Sequence, residues 1–161
     1  RPSFLRPSKS FFLRARMFIA APPERVWKAL TDDIGAWWPD EIFTGGEAGK
    51  RRFVLEARPG GDMYESWENG GLHWGTVTTI EPGRLLQVVG HTFSNWGGPS
   101  ASYWTWTLEG DASETVVKFE DSIVGRITEA TAKERTAGWT FLFEGALKAH
   151  LEGRPAPVWE G

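Results

Sequence analysis

Three histidines, two carboxylates on apolar strand faces and one arginine on an apolar helix face are the side chains of this chain that could do chemistry. His73, His91 and His150 are scattered and show no spacing such as His-x₃-His or Glu-x-x-His, so no metal is expected. His150 falls on an apolar helical stripe, where a hydrogen-bonded core or rim histidine is the favoured reading. His91 ends a strand and is the better candidate for a functional imidazole. Glu65 shares a strand face with Met63 and Trp67, and Asp121 shares one with Val117, Phe119 and Ile123. A carboxylate facing an apolar cavity has its charged form disfavoured and can serve as an acid or base. The alternative, favoured here, is that each pairs with a nearby Arg or lies beyond the sheet edge, because buried charges are almost always paired. Arg135 is the natural partner for Asp121, or a group that binds a ligand carboxylate. Gly-x-Ser-x-Gly elbows, phosphate loops and dinucleotide fingerprints are absent, and the glycine pairs sit at hairpin turns. No residue is assigned a catalytic role.

The elements that must position these groups are legible from periodicity. Phe11, Leu13, Ala15, Met17 and Ile19 alternate with Arg14 and Arg16, a half-buried strand. Pro22 and Pro23 end it and suit the first helical position, with Glu24 at the positive end of the helix. Val26, Trp27, Leu30 and Ile34 keep helical spacing. Thr31-Asp32-Asp33 predicts the cap of a second short helix carrying Trp37 and Trp38, one buried and one exposed, stopped by Pro39. From about Lys50 the period becomes two, and turns at 59–61, 69–71, 82–83, 97–99 and 110–111 separate strands near 51–57, 62–68, 72–81, 84–93, 101–109 and 114–124. Connections this short join antiparallel neighbours. Thr131-Ala132-Lys133-Glu134 has capping-box spacing, and Trp139, Leu142, Phe143, Ala146, Leu147 and His150 form one stripe of a long helix that Gly153 and Pro155 end. Phe141 points away from that stripe and predicts a dimer contact or cover from the arm around Phe4 and Leu5.

The fold class expected is α+β: a curved antiparallel sheet of about seven strands, in the order β-α-α-β6-α, gripping the C-terminal helix. Residues 1–10 read as an N-terminal arm, 11–153 as one domain and 154–161 as a tail. A chain of 161 residues is the size of one domain. A net charge of −3 offers no broad basic field for nucleic acid, and no apolar run is long enough to span a membrane. Cysteine is absent, which excludes disulfides and thiolate chemistry and permits a cytoplasmic location. The chain begins with Arg1, so upstream residues are expected, and too few apolar residues precede Phe11 for a secretory signal. Ten Trp and ten Phe against two Tyr supply aromatic surface enough to line something.

The run Ile19-Ala20-Ala21-Pro22-Pro23-Glu24-Arg25-Val26-Trp27-Lys28-Ala29-Leu30-Thr31-Asp32, followed by Trp37-Trp38-Pro39, Arg58-Pro59-Gly60-Gly61, Gly75-Thr76-Val77, Ile80-Glu81-Pro82 and Gly138-Trp139, resembles the bacterial homologues of the heat-shock-protein ATPase activator. These belong to the START-like, SRPBCC or helix-grip superfamily, and the resemblance runs from about Phe11 to Gly153. It implies the fold but no single activity, since the superfamily spans lipid and hormone carriers, cyclases, oxygenase-attached domains and a stress-response co-chaperone. The chain departs from the pattern in Ser94-Asn95-Trp96-Gly97-Gly98-Pro99-Ser100, a segment placed to act as a lid.

The leading functional expectation is a small hydrophobic or aromatic ligand, bound without catalysis between sheet and helix by Glu65, Trp67, His91, Trp104, Trp106, Phe119, Asp121, Arg135, Trp139 and Phe143. A core filled by Trp and Phe, leaving no cavity, is the rival reading. An enzyme using Glu65, His91 or Asp121 for proton transfer, or a co-chaperone-like interaction domain, are the alternatives. No cofactor is expected, and a homodimer is an open expectation.

Overall fold

Strands formed by apolar alternation and cut by turn residues dominate the computed structural model, which describes residues 9–160. The strands are β1 Lys9–Ile19, β2 Arg52–Leu55, β3 Asp62–Trp67, β4 Gly70–Glu81, β5 Leu85–Thr92, β6 Ser100–Gly110 and β7 Thr115–Gly125. All pairings are antiparallel, in the order β1-β7-β6-β5-β4-β3-β2. β2 to β7 form a meander, and β1 returns to β7 with Met17 opposite Val117 and Ala15 opposite Phe119. Asn69 (φ 63°) and Gly83 (φ 79°) take left-handed conformations at the β3–β4 and β4–β5 turns, where their residue types cost least. Alternation puts Trp104, Trp106, Leu108, Val117 and Phe119 on one buried face.

Helix α1 (Pro23–Leu30) starts at the prolines and buries Val26, Ala29 and Leu30. The second helix anticipated beyond it is a single 3₁₀ turn, Ile34–Ala36, with no side-chain cap, and it ends before the tryptophan pair. Thr31 instead turns its hydroxyl back to the Trp27 carbonyl at 2.7 Å. Both tryptophans are buried, which corrects the expected split. Trp37 donates from Nε1 to the Ala29 carbonyl (2.7 Å), while Trp38 stacks on Phe53 of β2 with ring centroids 3.6 Å apart. One ring therefore closes on α1 and the other on the sheet edge.

The C-terminal helix runs through α2 (Glu129–Thr140), a wider-wound segment Phe141–Leu147 and a last turn Lys148–Leu151. Its cap is Thr128, whose hydroxyl accepts from the Thr131 N–H (3.1 Å), so the helix starts earlier than the 131–134 box predicts. It ends as anticipated at Gly153 (φ 69°), where the Arg154 N–H reaches the Ala149 carbonyl (2.8 Å). His150 is exposed, not on the buried stripe; Ala149 and Leu151 are buried in that turn. The wide winding of Phe141–Leu147, with the Lys148 N–H reaching back to Phe143, breaks the 3.6-residue phase used to place it.

A tether joins the two ends of the domain. The Ala20 N–H, just past β1, donates to Glu152 Oε2 at 2.9 Å. That bond, assisted by Arg154 and Lys148, holds the Glu152 carboxyl below its ordinary value of 4.5. A depressed folded value means stability that is present above the ordinary value and lost as pH falls through the folded one. Glu152→Ala is expected to cost about 1 kcal/mol at pH 7. Urea unfolding should show the gap between variant and wild type closing as pH falls below 4.5.

Candidate functional site

The C-terminal helix and the sheet do not seal completely. A cavity of about 390 Å³ opens where the ends of β4, β5 and β6 face the helix. The helix contributes Arg135, Gly138, Trp139 and Leu142, while Ile42 and Thr44 close one side. Trp74 of β4 and Trp104 of β6 supply the sheet wall. Phe93 and Trp96, at the start of the β5–β6 connection, stand at the mouth, 67% and 52% exposed.

Two local irregularities make this wall. In β4, Met63 pairs with Gly75 but Tyr64 pairs with His73, so Trp74 is an extra residue, a β-bulge. The bulge puts Trp74 on the same side as Gly75, where its indole meets Trp38 and Phe53 edge-on at 5.4 and 5.5 Å. In β5, the Trp104 ring lies over Gly90, and a Cβ there would come within 2.3 Å of it. Gly90 is therefore the space that Trp104 occupies.

Two carboxylates fully buried behind the cavity hold its indoles. Glu65 accepts at Oε1 from the Thr44 N–H (2.8 Å) and hydroxyl (2.7 Å), and at Oε2 from Trp74 Nε1 (2.8 Å). Among the described residues no arginine pairs with it, which corrects the favoured expectation for this residue: three neutral donors take the place of a cation. Asp121 follows the other course. Its Oδ2 accepts from Arg135 Nη2 (2.9 Å), Arg135 Nε (3.3 Å) and Trp139 Nε1 (2.8 Å), and Arg135 Nη2 also reaches Ser102 Oγ (2.9 Å). Each carboxylate thus fixes one tryptophan of the wall and one neighbouring group.

Of the ten residues anticipated, His91, Trp104, Arg135 and Trp139 border the cavity. Glu65 and Asp121 sit directly behind it. Trp106, Phe119 and Phe143 lie one layer deeper, in a packed aromatic cluster in which Phe119 meets Trp139 at 4.9 Å and Phe143 at 5.0 Å. A packed aromatic layer thus fills the depth between sheet and helix, and the opening lies nearer the surface. Trp67 lies outside the cavity, against Gly45, Gly46 and Gly70, because β3 ends there and the 45–46 loop folds over the ring. Trp74, Thr44, Leu142 and the rim residue Phe93 are additions. Leu142 was legible as stripe, but Trp74 depends on a bulge that alternation does not reveal.

Two of the three histidines come together in space. His73 Nδ1 and His91 Nε2 are 3.0 Å apart, and His73 Nε2 lies 2.9 Å from Asp62 Oδ1, a hydrogen-bonded chain across β3, β4 and β5 at the rim. Among the described residues no group of three or more His, Asp or Glu side chains is placed to hold a metal. Among the described residues Phe141 is covered by the C-terminal tail. Its ring meets Trp159 of the tail at 5.0 Å, and Pro157 lies over Gly145; Phe4 and Leu5 fall outside the described residues. Among the described residues no helix is long and apolar enough to cross a membrane.

Comparison with known proteins places this architecture. No curated protein sequence matches the chain. Among solved structures it is similar to a protein from Rhizobium leguminosarum, with TM-score 0.71 and 19% identity over 93% of this chain and 99% of that one. It is also similar to DynU16, a protein in the dynemicin biosynthetic locus, with TM-score 0.64 and 25% identity over 91% of this chain but 49% of DynU16. The Aha1 dimer from Colwellia psychrerythraea shares the fold as well, with TM-score 0.56 and 23% identity over 88% of this chain and 96% of that one. Residues 20–152 match the family described as Activator of Hsp90 ATPase homolog 1-like protein, and with most of its length inside that match the chain belongs to this family.

Proposed function

We propose that the chain binds an apolar or aromatic small molecule in the cavity between sheet and C-terminal helix, without converting it. A volume of about 390 Å³ lies in the range of small-molecule sites, and the walls are mainly indole and aliphatic with few polar groups. The observation that carries the reading is Gly138. It stands in the middle of the helix on the cavity wall, and a Cβ there would meet nothing within 4 Å. Glycine in a helix interior costs about 1 kcal/mol relative to alanine. Here the helix forgoes that stability at the point where a side chain would enter the cavity.

The experiment follows directly. Gly138→Ala is expected to raise stability by about 0.5–1 kcal/mol, and Gly138→Leu to remain folded while filling the cavity. Binding of N-phenyl-1-naphthylamine, followed by its fluorescence, should weaken about tenfold or more in Gly138→Leu, the loss of roughly 1.4 kcal/mol. A folded Gly138→Leu protein that binds the dye as tightly as wild type would refute the site.

Phe93 and Trp96 are part of the proposal as a lid, since both border the mouth and both are exposed. DynU16 comes from a biosynthetic locus, which supports small-molecule handling in a related scaffold. Pairing of two chains, supported by the Colwellia dimer, would use a surface other than Phe141, whose ring the tail covers.

A further inference from the structure

We infer that the cavity selects an uncharged aromatic ligand bearing an oxygen acceptor, such as an aryl ketone or ester carbonyl, at its Arg135 end, and discriminates against the corresponding carboxylate. This rests on the binding reading above and adds charge and polarity to it.

The donors come first. Arg135 spends Nε and Nη2 on Asp121 and Ser102, while its Nη1 has no hydrogen-bond partner among the described residues. Trp104 stands opposite Asp121 in the β6–β7 pairing, at the same end of the cavity, and its Nε1 is buried with no partner. Both residues line the cavity. The Trp104 N–H, like those of Trp38 and Trp106, has no exposed surface, so a ligand oxygen takes the free Arg135 edge and the Trp104 ring supplies contact beside it. The indoles of Trp74 and Trp139 have no N–H available either, being committed to Glu65 and Asp121. They present carbon surface, suited to a flat ring.

Charge then decides between acceptors. Glu65 and Asp121 are fully buried directly behind the residues that form the wall, against the single guanidinium of Arg135. Two formal negative charges outweigh one positive. The rim histidines bond to each other and to Asp62 rather than adding a free cation. A carboxylate ligand would bring a third negative charge into a site that screens poorly, whereas a carbonyl oxygen takes the same N–H groups without that repulsion. Arg135 therefore acts as a neutralised fork whose remaining edge reads an acceptor.

Three naphthalenes test this: methyl 2-naphthoate, 2-naphthoate and 2-ethylnaphthalene, titrated calorimetrically into the full chain at pH 7. The ester is expected to bind about tenfold tighter than either the carboxylate or the hydrocarbon, the factor for one hydrogen bond from a charged donor. Arg135→Lys keeps a cation beside Asp121 but lacks the second planar edge. It should abolish the ester's advantage over the hydrocarbon, read as the ratio of the two affinities within that variant. Should that variant not fold, Arg135→Met/Asp121→Leu, which removes the pair together, serves the same purpose. Carboxylate binding equal to or tighter than the ester, an ester no better than the hydrocarbon, or an ester advantage that survives loss of the guanidinium each overturns the inference and leaves the binding reading standing. If wild type binds none of the three, the binding reading fails and this inference falls with it.

Discussion

Phe119→Ala should remove about 4 kcal/mol of stability, read as a shift of the urea midpoint with unchanged slope. Phe119 is fully buried in the centre of β7, with Trp106 at 5.1 Å, Trp139 at 4.9 Å and Phe143 at 5.0 Å between ring centroids. Those three rings come from a neighbouring strand and from two parts of the helix, so no single movement closes the void that truncation leaves. Against a typical total of about 5–15 kcal/mol, such a loss brings the chain near unfolding. Phe12 is the control. It lies on β1 with 56% exposure, and Phe12→Ala should stay within about 0.5 kcal/mol of wild type. If Phe119→Ala costs less than twice the control, the aromatic layer is not the core that joins helix to sheet.

Arg135→Met is expected to cost about 3–5 kcal/mol, because it leaves Asp121 fully buried with only the Trp139 N–H and no cation. The pair itself contributes far less than that figure. Desolvating two charges offsets most of their attraction, and Asp121 Oδ1 already lacks a partner. The double replacement Arg135→Met/Asp121→Leu should therefore recover most of the loss, which a thermodynamic cycle over the two single variants and the double would show. Additive costs in that cycle would mean that the carboxylate and guanidinium are solvated independently, against the 2.9 Å contact.

The sheet was readable because its residues obey a period of two and its turns carry Gly, Pro and Asn. Each of the seven strands lies within about two residues of its expected bounds, and the Asp121–Arg135 contact was within reach because both residues fall on inward stripes. Three of the differences share one cause, a local break in period. His150 was assigned inward by a helical phase that the wide turn at Phe141–Leu147 does not keep. Trp74 was passed over because an extra residue in a strand reverses facing without any mark in composition. Trp37 and Trp38 were expected to diverge in exposure, yet a one-turn 3₁₀ segment gives each its own buried partner. Glu65 was read by the general rule for buried charges, which does not anticipate a carboxylate satisfied by a threonine and an indole.

The extra residue in β4 also has a consequence for how this chain tolerates length changes. Gly70 to His73 keep their register to β3 on one side of the bulge and Gly75 keeps its own on the other, so Trp74 has no partner on β3. Deleting Trp74 would leave that register intact and remove only the bulge, and with it the indole that bonds Glu65 and meets Trp38 and Phe53. A one-residue loss at this spot is thus expected to cost the cavity its wall while leaving the facing of the hairpin as it is.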